Sequence, residues 1–161
     1  MLVEDVMADE MVTCDLNESL ENVAYKMWNG DLGAVPVLNE YGMPVGMITD
    51  RDICMALALR HSHAAHLHAR DLLHGRFVSC SPKWELKQAL KLMAQEKIRR
   101  LPVVNGDGHI MGLVSLGDLA AVAVPGKKKA VLTKEEFVDA FNNIATPHIR
   151  HSHELAVSDS A

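Results

Sequence analysis

The sequence is poor in aromatic residues and in cysteine, and this already limits what the protein can be. Phe, Trp and Tyr make up 4% of the 161 residues, so we expect a core of aliphatic side chains supplemented by nine Met residues. The three cysteines, Cys14, Cys54 and Cys80, form no C-x-x-C pair, and their odd number does not suit a disulfide-stapled secreted domain. We therefore expect a protein of a reducing compartment, the cytoplasm.

Long apolar runs and excess positive charge are also missing. The longest apolar stretches, 53–59 and 119–124, are far shorter than the roughly 20 residues that span a bilayer. The acidic Glu4 and Asp5 near the start do not suit a secretory leader. The net charge is −5 and the one basic run, 127–129, is short. We expect neither a membrane nor a nucleic-acid partner, because both surfaces recruit clustered Lys and Arg.

The most informative feature that is present is an internal repeat. Shifting the sequence by 66 positions aligns residues 5–55 with 71–121 without a gap. Eleven of the 51 aligned pairs are identical, whereas average amino-acid usage predicts roughly three. We interpret the chain as a duplicated unit. The identical pairs are Asp5/Asp71, Val12/Val78, Cys14/Cys80, Leu20/Leu86, Met27/Met93, Pro36/Pro102, Val37/Val103, Asn39/Asn105, Gly42/Gly108, Gly46/Gly112 and Asp52/Asp118.

Each unit shows the same order of predicted elements. Apolar residues at helical spacing, such as Leu20 and Met27, predict an amphipathic helix after a short first strand. Two apolar strands follow, separated by a turn that contains Asn39 and Gly42. A second helix is predicted to begin near Thr49. The unit is therefore β-α-β-β-α, and the fold class is α+β with some α/β character.

These patterns divide the chain into two repeats, a linker and an extension. The linker is rich in histidine, and Pro125 and Gly126 end the second repeat. In the extension, Thr133 and Glu136 have the spacing of a capping box, which predicts one further helix before a polar, mobile tail. The predicted parts are repeat one at 1–60, the linker at 61–68, repeat two at 69–124 and the extension at 125–161.

The duplicated motif resembles the CBS domain pair, or Bateman module. Each unit carries an apolar-Pro-Val strand and then the pattern Gly-apolar-apolar-Ser/Thr-x-x-Asp. The resemblance covers nearly all of residues 1–124. It implies two repeats packed through their sheets with pseudo-twofold symmetry, and two clefts that bind adenosyl ligands such as AMP, ADP or ATP. The residues that carry it are Ala34-Val35-Pro36-Val37 with Gly46-Met47-Ile48-Thr49-Asp50-Arg51-Asp52, and Leu101-Pro102-Val103-Val104 with Gly112-Leu113-Val114-Ser115-Leu116-Gly117-Asp118.

The resemblance places one expected nucleotide site around Asp52. The Thr49 hydroxyl would cap a helix whose N-terminus presents N–H groups to an anion. Asp52 would accept hydrogen bonds from the two ribose hydroxyls, since a carboxylate accepts two and donates none. Arg99 and Arg100 match a position where phosphate-binding repeats often carry a basic pair. The other residues expected at this site are Met47, Ser79, Cys80 and Pro102.

The second expected site lies around Ser115 and Asp118. Gly33 and Ala34 stand here where the arginines would be, so this cleft lacks their positive charge. We therefore predict unequal sites, with phosphorylated nucleotide at Asp52 and weaker binding, or a less charged adenosyl group, at Asp118. The other residues expected at this second site are Leu113, Thr13, Cys14 and Pro36.

The resemblance thus predicts a non-catalytic sensor with an adenine nucleotide as its regulatory ligand and no obligatory cofactor. NAD or S-adenosylmethionine are alternative ligands, because ribose recognition is common to all of them. A homodimer is expected through the exposed apolar faces of residues 53–59 and 119–124, and an unidentified effector protein would respond to the ligand. The additional helix would cap the dimer or recruit that effector.

Two other interpretations remain open from the residues themselves. In the first, the Ser/Thr and Asp residues only cap their helices, and the repeats form a structural interaction module with empty clefts. In the second, the repeats are a scaffold for an enzyme or for metal binding by histidines, although no Cys or Glu completes a familiar zinc pattern. We predict no metal site. The histidines concerned are His61, His63, His66 and His68 in the linker, with His148, His151 and His153 in the tail.

Overall fold

The computed structural model of the chain describes residues 1–123 and 132–146. Both predicted repeats and the α+β class are confirmed. No helix in these two ranges is long and apolar enough to cross a membrane. The elements are β1 (Cys14–Asp15), α1 (Leu20–Asn29), β2 (Ala34–Leu38), β3 (Pro44–Thr49) and α2 (Asp50–Arg60), then α3 (Leu86–Glu96), β4 (Arg100–Val104), β5 (Ile110–Ser115), α4 (Leu116–Ala123) and α5 (Lys134–Ala145).

The first helix of each repeat forms where the apolar spacing predicts it. In α1 the side chains of Leu20, Val23 and Met27 lie on one face and are buried. Ser19 caps this helix, since its Oγ accepts a hydrogen bond from the N–H of Asn22 at 3.3 Å. The equivalent face of α3 is buried in the second repeat. Each repeat therefore has its own aliphatic core.

The two sheets differ at the position of the first strand. In the first repeat, β1 runs parallel to β2, and β2 is antiparallel to β3. In the second repeat, β4 and β5 form the equivalent hairpin, but only Cys80 bridges to Val103 in parallel. The N–H of Leu16 extends the first ladder by donating to Leu38 at 3.1 Å. Pro82 occupies the position equivalent to Leu16 and has no N–H, so the second ladder ends one residue earlier.

The segments that begin the two repeats are exchanged between their cores. Val3, at the start of the first repeat, is fully buried in the core of the second. Ala69 and Leu72, at the start of the second repeat, are buried in the core of the first. The N–H of Val3 donates to Trp84 at 2.9 Å, and the N–H of Ala69 makes the equivalent bond to Glu18 at 2.9 Å. Because of this exchange, the cores do not follow the divisions made along the sequence.

The C-terminal helix predicted from its capping box is confirmed as α5. The N–H of Glu136 donates to Thr133 Oγ1 at 3.1 Å, and the N–H of Thr133 donates to Glu136 Oε2 at 2.9 Å. Ala140 and Ile144 on this helix are buried in the core of the second repeat. The basic run 127–129 and the polar tail beyond Thr146 lie outside the described residues.

Candidate functional site

A cleft of about 670 Å³ opens beside the start of α2. Its walls come from both repeats, with β3 and α2 on one side and with residues 72–78 and 97–100 on the other. We call it the Asp52 cleft. The structure brings together here five of the residues predicted for one site, namely Met47, Thr49, Asp52, Arg99 and Arg100.

Thr49 and Asp52 form a capping box at the start of α2. The backbone N–H and the hydroxyl of Thr49 donate to Asp52 Oδ2 at 2.9 and 2.7 Å, and the N–H of Asp52 donates to Thr49 Oγ1 at 3.1 Å. In the described part of the chain, the hydrogen bonds of this carboxylate all go to Oδ2. Oδ1 therefore remains available to accept a hydrogen bond from a ligand hydroxyl.

The start of α2 does not offer the free N–H groups that the sequence led us to expect. The N–H of Asp50 donates to the carbonyl of Gly33 at 3.3 Å, and the N–H of Arg51 donates to Asp50 Oδ1 at 2.7 Å. The third N–H, of Asp52, is taken by Thr49. Because all three already have acceptors, positive charge for an anionic ligand must come from side chains here.

Arg99 and Arg100 supply such charge from the second repeat. The N–H of Leu116 donates to the carbonyl of Arg99 at 2.8 Å, which fixes the backbone just before β4. Arg99 is exposed and Arg100 is half-buried. The guanidinium of Arg100 reaches the first repeat, because a Cβ at Gly33 would lie 3.7 Å from its Nη2. Within the described ranges, neither arginine has a carboxylate at ion-pair distance.

Positive side chains outnumber negative ones around the cleft, although the whole chain carries a net charge of −5. Arg76 is paired with Glu96 at 2.8 Å but is largely exposed, so solvent screens that pair. A concave surface of one charge sign concentrates ligands of the opposite sign. The basic residues lining the cleft are Arg51, Arg76, Lys97, Arg99 and Arg100, and the carboxylates are Asp50 and Asp52.

Other predicted residues lie in different places from those expected. Gly33 and Ala34, predicted for the Asp118 site, line the Asp52 cleft instead. Cys80 is buried in the core of the second repeat because its backbone pairs with Val103, and Val78 takes the predicted place in the cleft wall. The predicted residues that do not line this cleft are Ser79, Cys80 and Pro102.

Ser115 and Asp118 form a second capping box, at the start of α4. The N–H and the hydroxyl of Ser115 both donate to Asp118 Oδ2 at 2.7 Å, and the N–H of Asp118 donates back at 3.2 Å. Leu113, however, exchanges two backbone hydrogen bonds of 2.9 Å with Ala8. A Cβ at Gly112 would lie only 2.5 Å from the carbonyl oxygen of Ala8. The N-terminal segment thus lies directly on the strand that precedes this helix start.

The remaining residues predicted for the Asp118 site contribute to the first repeat. The carbonyl of Thr13 accepts a hydrogen bond from Lys26 Nζ at 3.0 Å. Cys14 is 2% exposed and pairs with Val37, while Pro36 is buried within β2. The burial of Cys14 in the core of the first repeat corrects the expectation that its side chain faces a ligand.

The buried thiols are unsuited to nucleophilic chemistry. Desolvation by burial, together with the nearby carboxylate of Glu18, raises the pKa of Cys14 to about 12. Burial alone raises the pKa of Cys80 to about 12. The thiolate is the reactive form, so both groups are unreactive neutral thiols at physiological pH.

The linker histidines do not converge on one point. The rings of His63 and His66 meet edge to face, with centroids 5.8 Å apart. Across residues 1–123 and 132–146, no three His, Cys, Asp or Glu side chains are arranged to hold a metal ion. His148, His151 and His153 lie outside those ranges.

The repeated motif did not predict several residues that line the cleft, and most of these lie in the segment 72–78. Arg76, Phe77 and Lys97 line the cleft although they belong to no part of the repeated motif. A comparison of charge in the 66-residue register would have indicated Arg76 and Lys97, since Arg76 is aligned with Glu10 and Lys97 with Asp31. The position of Arg76 and Phe77 against the first repeat follows only from the exchange of the segments that begin the two repeats.

Comparison with known proteins agrees with this architecture. The sequence model of the CBS domain matches residues 3–59 and 69–124. The chain is 36% identical over 118 residues to the CBS domain-containing protein YhcV of Bacillus subtilis, which covers 73% of this chain and 82% of that protein. It is 31% identical over 120 residues to the protein MK0525 of Methanopyrus kandleri, and the match spans 74% of this chain but 61% of that protein.

Solved structures show the same fold. The CBS domain pair of protein MJ0100, in complex with 5′-methylthioadenosine and S-adenosyl-L-methionine, superposes with a TM-score of 0.68 at 22% identity, over 76% of this chain and 94% of that chain. CBSX2 in complex with AMP superposes with a TM-score of 0.66 at 21% identity, over 76% and 95%. The family model over both repeats and the relative YhcV lead to one conclusion: this chain belongs to the CBS domain family and carries two CBS domains in tandem.

Proposed function

We propose that this protein is a regulatory module that binds a phosphorylated adenosyl ligand, AMP, ADP or ATP, in the Asp52 cleft. The ligand favours one arrangement of the two repeats, and an effector protein responds to that arrangement. The module performs no reaction of its own and acts as a homodimer in the cytoplasm, where its free thiols stay reduced. The observation that carries the proposal is the convergence of Asp52, Arg99 and Arg100 from two repeats on one cleft.

The ribose would lie at the start of α2. Asp52 Oδ2 is held by Thr49, which fixes the carboxylate and directs Oδ1 to the ligand. A fixed acceptor suits the ribose diol, whose hydroxyls donate hydrogen bonds. The hydrogen bonds of the capping box stay intact when such a ligand binds, so capping and ribose binding are compatible roles for the same residue.

The phosphates would contact the guanidinium groups of Arg99 and Arg100. A guanidinium presents two parallel N–H groups that match the spacing of phosphate oxygens. Because the helix N–H groups are already occupied, these side chains carry the phosphate interaction in this cleft. A ligand without phosphate, such as S-adenosylmethionine or 5′-methylthioadenosine, would lose this contribution.

The adenine ring would pack against the apolar part of the cleft. A site with apolar walls and a few convergent charged groups is typical of small-molecule pockets, and a volume of about 670 Å³ is within their ordinary range. The exposed edge at Gly75 leaves a path for entry. The apolar residues that line the cleft are Val45, Met47, Leu72, Leu73, Phe77, Val78 and Ile98.

We propose that the region around Asp118, at the start of α4, binds such a ligand weakly or binds a less charged adenosyl group. Ala8 is hydrogen-bonded to Leu113 there, so a ligand would have to displace or bypass the N-terminal segment. Gly33 and Ala34 take the aligned positions of the two arginines and bring no charge.

The experiment is calorimetric titration of AMP, ADP, ATP and S-adenosylmethionine into the native protein, Asp52→Ala and Asp118→Ala. Both variants lose the same kind of capping box and about 1 kcal/mol of stability, so Asp118→Ala is a matched control. We expect Asp52→Ala to weaken AMP binding at least about tenfold and Asp118→Ala to leave it within about twofold. Equal losses would overturn the assignment, and absence of binding by the native protein would overturn the function. Native mass spectrometry of the purified protein provides an independent check for a co-purified ligand.

A further inference from the structure

The second repeat has its helical face covered by α5. Ala140 and Ile144 are buried against α3 and α4, and Leu132, just before the helix, is fully buried in the same cluster. Lys87 on α3 holds the start of α5 through a 2.8 Å contact with Glu136. A helix of this chain therefore covers the apolar surface that the second repeat would otherwise expose.

The equivalent face of the first repeat has no covering helix within the described residues, and only the short segment Ala64–His66 packs against α1. Trp28 is 85% exposed on α1 and Tyr25 is 66% exposed, while Met55 is 41% exposed on α2. Trp28 also borders a concave surface, and a large exposed apolar side chain beside a groove is typical of an interaction surface. Between α1 and α2 lies a groove of about 360 Å³, which we call the α1/α2 groove. Its lining residues are Ala24, Met27, Trp28, Asp31, Leu32, Gly33, Asp50 and Ile53.

One flank of α5 also exposes apolar residues that the second repeat does not cover. Val138 is 44% exposed and Phe141 is 49% exposed, although both are large apolar residues. Together with Lys134 and Ala145 they recur at intervals of four, three and four residues, so they share one line along the helix. The buried Ala140 lies on a different line. The apolar surface of α5 is therefore wider than the part used by the second repeat.

We propose that the α1/α2 groove of one copy receives the α5 flank of a second copy. A two-fold axis would form this contact twice, so that each α5 lies between its own α3 and α4 and the partner's α1 and α2. Charge supports this occupant: Lys134 heads the flank, whereas Asp31 and Asp50 are the charged residues of the groove. Within the described ranges, Lys134 has no ion-pair partner.

The position of α5 restricts which helical faces can meet in a dimer. Because α5 already covers α3 and α4, the helical face of the second repeat is not free to form a dimer contact. The inference rests on the homodimer of the proposed function and names its contact surface. Trp28, Val138 and Phe141 do not line the Asp52 cleft, so nucleotide binding and dimerisation can be tested separately.

Chemical crosslinking tests the contact directly. Cys54 is exposed and lies one turn along α2 from Asp50, whereas Cys14 and Cys80 are buried. Val138→Cys places a second accessible thiol on the α5 flank. With a short bismaleimide we expect a covalent dimer that disappears when Cys54→Ser is added. Asn143→Cys, on the polar side of α5, is the matched control and should crosslink at least about tenfold more slowly.

Sedimentation equilibrium provides the second measurement. Phe141→Asp and Trp28→Glu change exposed residues, so both variants should fold, which circular dichroism checks. We expect each to weaken dimerisation at least about tenfold and to leave AMP binding unchanged. A native protein that stays monomeric, or a Val138→Cys variant that crosslinks no faster than Asn143→Cys, would overturn this contact. Failure of the native protein to bind AMP would instead overturn the proposed function.

Discussion

The starts of α2 and α4 are built alike, but the charged residues that line the Asp52 cleft are not repeated in the 66-residue register. Both carry the same Ser/Thr and Asp capping box, with closely similar hydrogen-bond lengths. The charged side chains that line the Asp52 cleft are mainly basic, and their aligned partners are neutral or acidic. The aligned pairs are Arg76/Glu10, Lys97/Asp31, Arg99/Gly33, Arg100/Ala34 and Arg51/Gly117.

A second difference concerns the strand that precedes each helix. Ala8 exchanges two hydrogen bonds with Leu113, whereas the aligned pair, His74 and Met47, makes no such bond in the described part of the chain. The strand before α2 is therefore contacted by the flexible side chain of Leu73, whereas the strand before α4 is paired with the backbone of Ala8. The two helix starts thus show that the duplicated motif forms the same backbone hydrogen bonds in both repeats. Residues outside the motif determine which ligand each region can bind.

The largest expected effect comes from removing the arginine pair. Arg99→Ala with Arg100→Ala should weaken ATP binding roughly a hundredfold, because each charged hydrogen-bond partner contributes about tenfold. Adenosine binding should change less than about threefold, since adenosine has no phosphate. Calorimetry with both ligands measures the contrast. A similar loss for adenosine and ATP would show that the arginines support the cleft and do not bind phosphate.

A pair of glycine variants tests whether the strand on the Asp118 side is covered. At Gly112 a Cβ would lie 2.5 Å from the backbone oxygen of Ala8, so the N-terminal segment must move. At Gly46 it would lie 2.4 Å from Leu73 Cδ2, the end of a flexible side chain that can rotate away. We expect Gly112→Ala to lower the free energy of unfolding by about 2 kcal/mol and Gly46→Ala by less than about 1 kcal/mol. Urea unfolding measures both, and the reverse order would contradict the assigned contact.

The smallest difference is expected between the two aligned cysteines. Burial raises the pKa of both Cys14 and Cys80 to about 12, so at pH 8 only Cys54 should react quickly with Ellman's reagent. The two buried thiols should react only on unfolding, and Cys54→Ser should remove the fast phase. If two thiols of the native protein reacted quickly, the reagent would have access to one of the two cores.

The same pKa values determine how these thiols affect stability at high pH. A raised folded-state pKa leaves stability unaffected below the ordinary thiol value of 9.0. Between pH 9 and about 12 the unfolded chain loses these protons while the folded chain keeps them, so the free energy of unfolding falls. Cys14→Ala and Cys80→Ala should each reduce that slope by a similar amount.

Much of the fold could be predicted from the sequence because its determinants are local. The apolar spacing of α1 and the Thr133 capping box specify helices through contacts within one or two turns. The identity of the Asp52 site depended on a repeated motif, and its five central residues lie together in the structure. The expectation of free N–H groups at this helix start was wrong, because the side chains of Thr49 and Asp50 and the carbonyl of Gly33 accept their hydrogen bonds. The bond to Gly33 joins two separate elements, so no local pattern specifies it.

The sequence by itself determined two tandem β-α-β-β-α units and their helix caps, since each depends on residue type and short-range spacing. A phosphate-binding role for the arginine pair is implied only by the resemblance to the CBS domain family. Only the tertiary structure decided which core the segment at the start of each repeat enters. That exchange places Arg76 and Phe77 on the Asp52 cleft and Ala8 on Leu113. Contacts between segments more than 60 residues apart depend on how two cores close together, and burial of Val3 and Leu72 in the opposite repeats drives that closure.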